Sequence, residues 1–218
     1  MEILMAIFDL VPCILCFFAM WMLQTSLYHK MNKYAYALFA AGTIMILFAG
    51  VFKAIYKIFY YGFDLDIYRF NYMFFPVQAF GFILAFAALL IYVFQKKSSG
   101  PLSIVLLTSL TTEEGKRLAN DTMLYVALQI IGFGGVYGIL CYFSKKLKKP
   151  LLMIVFIVAF SLMLIMGFLS TRISKATTEA DYLLYNWLAE GTNTIAQFLF
   201  LFGVIKLRKA GLKESTEV

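Results

Sequence analysis

Charged residues are scarce in this sequence, and their scarcity excludes a water-soluble fold. Only 14% of the 218 residues are charged and 62% are hydrophobic, whereas soluble domains carry about 25% charged and about 45–50% apolar residues. The apolar residues are grouped into windows of roughly 20 residues, the length of helix that crosses a bilayer. Short strands of alternating polarity, which are typical of a membrane β-barrel, do not occur. The sequence therefore predicts an all-α polytopic membrane protein.

Histidine and cysteine are also scarce, and this limits the chemistry that we expect. The single histidine, His29, lies next to Lys30, and one histidine cannot build a haem, zinc or His-based catalytic site within one chain. Cys13 and Cys16 form a Cys-x-x-Cys pair inside an apolar segment, where we interpret them as small core residues rather than as a redox pair. We expect no metal and no cofactor, and the sequence favours a non-enzymatic function while leaving an enzyme open.

The formal net charge of +7 would suggest a nucleic-acid partner in a soluble protein. Here the basic residues flank apolar segments, so we interpret them as topology signals and as contacts with anionic lipid headgroups. We expect the lipid bilayer as a partner and no nucleic acid. The opening residues, MEILMAIFDLVPCILC, lack the basic n-region and the cleavage site of a signal peptide, so we expect a retained first helix.

Six apolar segments are clear, and a seventh stretch is ambiguous. The six are Ile3–Leu23, Tyr34–Tyr60, Met73–Phe94, Met123–Phe143, Leu151–Leu169 and Tyr182–Leu207. The ambiguous stretch lies between the third and fourth segments, and its uncharged part runs from Ser98 to Thr112. As a helix it would span about 22 Å, which is short for a hydrocarbon core of about 30 Å. Hydropathy alone indicates a loop or a re-entrant segment there.

The distribution of Lys and Arg favours a crossing by this stretch. Without a crossing, the 19 basic residues divide almost evenly between the two faces, as eight and eleven. With a crossing, twelve fall on one face and seven on the other, which is the excess expected on a cytoplasmic face. The larger set is Lys30, Lys33, Lys96, Lys97, Lys145, Lys146, Lys148, Lys149, Lys206, Arg208, Lys209 and Lys213.

Seven transmembrane helices in a 3+1+3 arrangement are therefore favoured over six, with the N-terminus outside and the C-terminus inside. Residues 1–97 and 122–218 would form three-helix halves, and residues 98–121 a short linker helix or a re-entrant segment. A weak internal repeat points the same way, because a shift of 119 residues places Gln78 over Gln197 and Asn71 over Glu190. Repeats of this kind are common in transporters.

Polar residues form a stripe along the last apolar segment. Asn186, Glu190, Asn193 and Gln197 are spaced 4, 3 and 4 apart, so they share one face of a helix that reaches roughly the middle of the membrane. Intramembrane charges usually pair or line a cavity. The stripe indicates either an interhelical hydrogen-bond seam, worth about 0.6–2 kcal/mol for each contact, or the wall of a ligand or ion pathway.

Candidate partners for this stripe occur on other segments. Asp9 and Lys53 lie at a similar depth in the outer half of the seven-helix arrangement, and we expect them to face Glu190. Lys57 is closer to the membrane surface, and we expect it to extend to the outer headgroups. A polar pocket would be completed by Gln78, Asn71 and Gln129. Pro76 frees a backbone carbonyl beside them, and Gly132 in the GFGG sequence indicates a close helix crossing.

Three functions remain open at this stage. The favoured one is binding or transport of a small polar solute or ion, entered from outside. The second is a non-catalytic subunit or sensor whose polar stripe binds a membrane-protein partner. The third is a lipid-modifying enzyme that uses Asp9 and Glu190 as an acid–base pair. We expect an integral membrane protein of a bacterial inner membrane, since the loops are compact.

Overall fold

The computed structural model describes residues 2–95, 122–173 and 175–212, and within these ranges the chain is almost entirely helical, with no strand. Two helices, α1 and α2, meet at Asp9 and together form the first span. The helices are α1 (Glu2–Phe8), α2 (Leu10–Leu27), α3 (Lys33–Phe63), α4 (Tyr68–Gln95), α5 (Thr122–Lys146), α6 (Pro150–Ile173) and α7 (Glu179–Leu207), followed by a π turn (Arg208–Leu212).

Six spans in the described residues are long and apolar enough to cross a membrane. They coincide with the six predicted segments, so the prediction of a polytopic α-helical membrane protein is confirmed. The helices extend beyond the apolar windows at their polar ends, since backbone hydrogen bonding continues into the interface. The stretch from Ser98 to Thr112, on which the choice between six and seven helices depends, lies outside the described residues.

Local sequence explains where several helices begin and end. The side chain of Asn32 accepts a hydrogen bond from Ala35 N at 2.7 Å and caps α3, and Thr178 accepts one from Asp181 N at 3.1 Å and caps α7. Helix α3 ends at Asp64, which adopts a left-handed conformation with φ 53°. The side chains of Asn32 and Thr178 thus accept from backbone N–H groups that a helix start leaves unpaired.

Most helices that adjoin in the chain pack antiparallel, but α4 and α5 pack parallel. Their contacts advance together from the start to the end of both helices. In order, they are Gln78 with Gln129, Phe82 with Phe133, and Tyr92 with Phe143. The chain therefore leaves α4 at one end of the bundle and enters α5 at the opposite end.

The first span and α7 also run parallel, and their packing closes the bundle into a ring. The rings of Phe8 and Trp187 lie 5.9 Å apart, in the first half of the first span and of α7. At the far end, Lys30 donates a hydrogen bond to the carbonyl of Leu212 in the π turn. Helix α7 therefore takes the same direction through the bundle as the first span.

The two ends of the bundle differ in charge. One end, here called the basic end, carries the loop of residues 28–32, the loop of residues 147–149 and the π turn. Nine described Lys and Arg residues lie there and no described Asp or Glu. The opposite end, here called the acidic end, carries Asp64, Asp66, Glu179 and Asp181, against three described basic residues, Arg69, Arg172 and Lys175.

Candidate functional site

Four charged side chains meet in the half of the bundle next to the acidic end. Lys57 Nζ forms an ion pair with Asp9 and lies 3.4 Å from Glu190 Oε1. Lys53 Nζ lies 3.5 Å from the same oxygen. The charges therefore alternate in the order Asp9, Lys57, Glu190, Lys53, and this set is called the charge cluster below. Its formal charges cancel, which lowers the cost of holding ions in a region of low dielectric constant.

The members of the charge cluster differ in exposure. The side chains of Asp9, Glu190 and Lys57 are 5%, 8% and 11% exposed, but that of Lys53 is 30% exposed. The ammonium of Lys53 lies 4.9 Å from the centre of the Phe74 ring, in a cation–π contact. Lys53 is therefore the least buried member of the charge cluster.

The expectation that Lys57 extends to the headgroups is wrong. Its ammonium lies between the carboxylates of Asp9 and Glu190. A lysine extends toward water when nothing inside the membrane pairs with it. Two nearby carboxylates reverse that preference, since each would otherwise be a buried and uncompensated charge.

The first span lacks one backbone hydrogen bond beside Asp9, but its backbone stays helical there, with φ −58° and ψ −21° at Asp9. Helix α1 ends at Phe8 and α2 starts at Leu10, and Pro12 has no backbone N–H to donate to the carbonyl of Phe8. Asp9 Oδ1 is buried and has no hydrogen-bond partner in the described part of the chain. Asp9 therefore lies within one continuous helical span, with its side chain buried in the bundle.

A second polar contact joins α4 and α5. Gln129 Nε2 donates a hydrogen bond to Gln78 Oε1 at 2.6 Å, and Gln129 is buried. Phe74, which covers Lys53, lies one helical turn from Gln78 on the same face of α4. The glutamine pair therefore adjoins the charge cluster through one aromatic side chain. The side chain of Asn71, also predicted for this pocket, lies outside the described residues.

The remaining members of the α7 stripe take different roles. Asn186 is buried and donates to the carbonyl of Tyr182 at 2.9 Å, within its own helix. Gln197 Nε2 contacts Met163 Sδ at 3.2 Å and Asn193 Oδ1 at 3.5 Å. The side-chain oxygen of Gln197, Oε1, is buried and has no hydrogen-bond partner among the described residues. The stripe thus continues along α7 from the charge cluster to Gln197, whose side-chain oxygen can still accept a hydrogen bond.

A tyrosine pair lies between the charge cluster and the acidic end, and sequence reasoning missed it. The hydroxyls of Tyr61 and Tyr182 are 2.6 Å apart. A shallow surface depression beside them is lined by Tyr60, Tyr61, Gly62, Phe63, Asp64 and Tyr182. The sequence does indicate that Tyr182 belongs to the polar stripe, because Tyr182, Asn186 and Glu190 follow one another at intervals of four residues.

Comparison of the chain with protein-family models, with curated proteins and with solved structures gave no match. The chemistry of the site is therefore argued from its own groups. The charge cluster offers one half-buried ammonium and two buried carboxylates that share one lysine. The α7 stripe adds the side-chain oxygen of Gln197, which has no hydrogen-bond donor among the described residues. Such a set can bind a charged solute and exchange counter-ions. In the described residues it contains no histidine and no hydroxyl nucleophile in contact with either carboxylate.

Proposed function

We propose that the protein binds or transports a small polar solute or ion through an outward-facing polar pocket. The observation that carries this proposal is the buried, charge-balanced cluster with one partly exposed lysine. Apolar residues of similar size would often hold the helices together as well as a buried ion network or better. Ionisable residues kept inside a membrane bundle therefore favour a pathway or site over a purely structural role.

We further propose that the bundle has seven crossings, with the N-terminus outside and the acidic end facing out. Support comes from the parallel contact of α4 with α5 and from the parallel contact of the first span with α7. Each requires an odd number of crossings between the two helices that it joins. Residues 98–112 supply the extra crossing in this proposal, and the excess of Lys and Arg then falls on the cytoplasmic face.

The same contacts support a repeated architecture of two three-helix halves, residues 1–97 and 122–218. Helix α4 ends the first half and packs parallel to α5, which starts the second. Helix α7 ends the second half and packs parallel to the span that starts the first. A twofold pseudo-symmetry axis along the membrane normal would relate the two halves and would map each of these contacts onto the other, as in transporters with parallel repeats. The setting that we propose is a bacterial inner membrane.

Replacing Glu190 with Gln should abolish uptake while the protein still folds. Gln keeps the size of the side chain but removes the carboxylate that holds both lysines. The measurement is uptake of a panel of labelled small polar solutes by proteoliposomes that contain the full chain, scored for solutes that the unmodified protein accumulates.

The matched control is Glu179→Gln, which makes the same change on an exposed residue in the first turn of α7. This control should retain uptake. Both variants should elute as monodisperse protein in detergent. Normal uptake by a well-folded Glu190→Gln variant would remove Glu190 from the site. Stoichiometric co-purification of a second membrane protein, with no uptake by either form, would favour the subunit function instead.

A further inference from the structure

We propose that the solute of this site is a small monovalent anion and that one proton binds with it. This inference rests on the proposed function, since it specifies what the charge cluster takes up. Three observations carry it: the least buried member of the charge cluster is an ammonium, the formal charges of the cluster cancel, and its two carboxylates share one lysine.

The least buried member of the charge cluster decides the sign of the solute. Lys53 is the most exposed member of the charge cluster, and its partner oxygen on Glu190 is also shared with Lys57. At 3.5 Å this contact is longer than a good charge-assisted hydrogen bond, which is about 2.7–2.9 Å. An incoming carboxylate, sulfonate or halide can therefore compete with Glu190 for Lys53. A cation would meet the ammonium first, and Asp9 lies behind Lys57 and is the most deeply buried member.

The charge balance then requires a proton. An anion on Lys53 leaves the buried cluster with one net negative charge, and an unbalanced charge inside the membrane is costly. A proton from solvent that binds a carboxylate restores neutrality, and no covalent bond of the solute forms or breaks. The acceptor is an oxygen of Glu190, because the anion takes one of the two lysines that this carboxylate contacts, whereas Asp9 keeps Lys57.

The ionisable groups around Glu190 come from two neighbouring elements. Lys53 and Lys57 face it from α3, and Asp9 and Cys13 face it from the first span. Helix α6, which packs along the other side of α7, carries Arg172 as its only charged residue. Arg172 is exposed in the last turn of α6, near the acidic end. Glu190 is therefore the carboxylate whose counter-ions change most when Lys53 binds an anion.

The test measures binding of methanesulfonate to the purified full chain in nanodiscs between pH 6 and pH 8. Methanesulfonate is the anion of a strong acid and stays charged throughout this range, so any linked proton must bind the protein. Methanesulfonamide, methylammonium and glycine serve as neutral, cationic and zwitterionic probes. Chloride and acetate distinguish an inorganic from an organic anion site. Binding is read from the rise in unfolding temperature at increasing probe concentration, which gives an apparent affinity.

We expect methanesulfonate to bind and the sulfonamide and methylammonium not to bind. The affinity for methanesulfonate should rise as the pH falls, by up to about tenfold per pH unit when one proton is linked to binding. Lys53→Gln should remove binding and Lys53→Arg should retain it. Glu190→Gln should still bind methanesulfonate, with an affinity that no longer changes with pH, although it does not support uptake. Lys206→Gln is the matched control, because Lys206 also lies over an aromatic ring, Phe202, but at the basic end of α7.

Two results would contradict the inference of an anion and a linked proton but would leave the proposed function standing. One is binding of glycine or methylammonium, but of no monoanion, at a site that Glu190→Gln disrupts. The other is anion binding by the unmodified protein with no pH dependence, or with the same pH dependence in Glu190→Gln. If no probe binds and uptake is unchanged by Glu190→Gln, the proposed function and the inference both fail.

Discussion

Replacing Lys57 with Met lowers the free energy of unfolding by about 3–5 kcal/mol, the usual cost of removing one partner from a buried ion pair. Lys57 is the one ammonium that contacts both Asp9 and Glu190 among the described residues. Met fills a similar volume, so the loss reflects the two carboxylates that are left with Lys53 alone. Reversible unfolding of the full chain in mixed micelles measures the difference.

A second variant separates charge imbalance from lost packing. Asp9→Asn combined with Lys57→Met restores neutrality, since Glu190 and Lys53 remain as a pair. We expect this double variant to recover at least half of the lost stability, which would appear as a strong coupling in a double-mutant cycle. Lys206→Met is the control for loss of a lysine and should change stability by less than about 1 kcal/mol, because Lys206 is exposed. Equal losses in the single and double variants would show that the charge cluster does not act as a unit.

Replacing Gly132 with Ala destabilises the bundle by about 1–3 kcal/mol, the range for overpacking a close contact. A Cβ at this position would lie 2.7 Å from Phe82 Cβ and 2.8 Å from the backbone nitrogen of Ile83. Backbone atoms of α4 cannot rotate away, so α4 and α5 would have to separate. Gln129 lies one turn before Gly132, so its hydrogen bond with Gln78 should weaken as well.

The control for this substitution is on the same helix. A Cβ at Gly138 meets no described atom within 4 Å, and Gly138→Ala should be neutral or stabilising by up to about 1 kcal/mol through helix propensity. The same unfolding measurement serves both variants. If Gly132→Ala is as stable as Gly138→Ala, then the backbones of α4 and α5 do not approach each other closely enough at Gly132 to exclude a Cβ.

The six spans could be predicted from the sequence because hydropathy over a window of about 20 residues depends on local composition alone. The sequence also predicts that Asp9, Lys53 and Glu190 lie at one depth, since their depths follow from their distance to the ends of their helices. Depth does not reveal which way a side chain points, however. This is why the sequence predicts Lys57 at the headgroups, although its ammonium contacts two carboxylates.

Side-chain contacts between neighbouring helices are harder to predict from the sequence. The bond between Gln129 and Gln78 depends on the parallel packing of α4 and α5, and neither helix has an amphipathic face that indicates its neighbour. The ring of Phe74 over Lys53 could not be distinguished in the sequence from the many phenylalanines that face lipid. Gly132 is the exception, because a glycine-rich run inside a span is typical of close crossings.

The directions of the helices underlie the whole description of the site, because Asp9 and Glu190 share a depth only if the first span and α7 run the same way. The most direct test places one epitope tag at the N-terminus and another at the C-terminus and measures protease access in intact and permeabilised cells. Opposite faces are expected, with the N-terminal tag cleaved from outside and the C-terminal tag protected until the cells are opened. Cleavage or protection of both tags together would mean an even number of crossings. That result would reverse α7, separate Glu190 from Asp9 and contradict the proposed site.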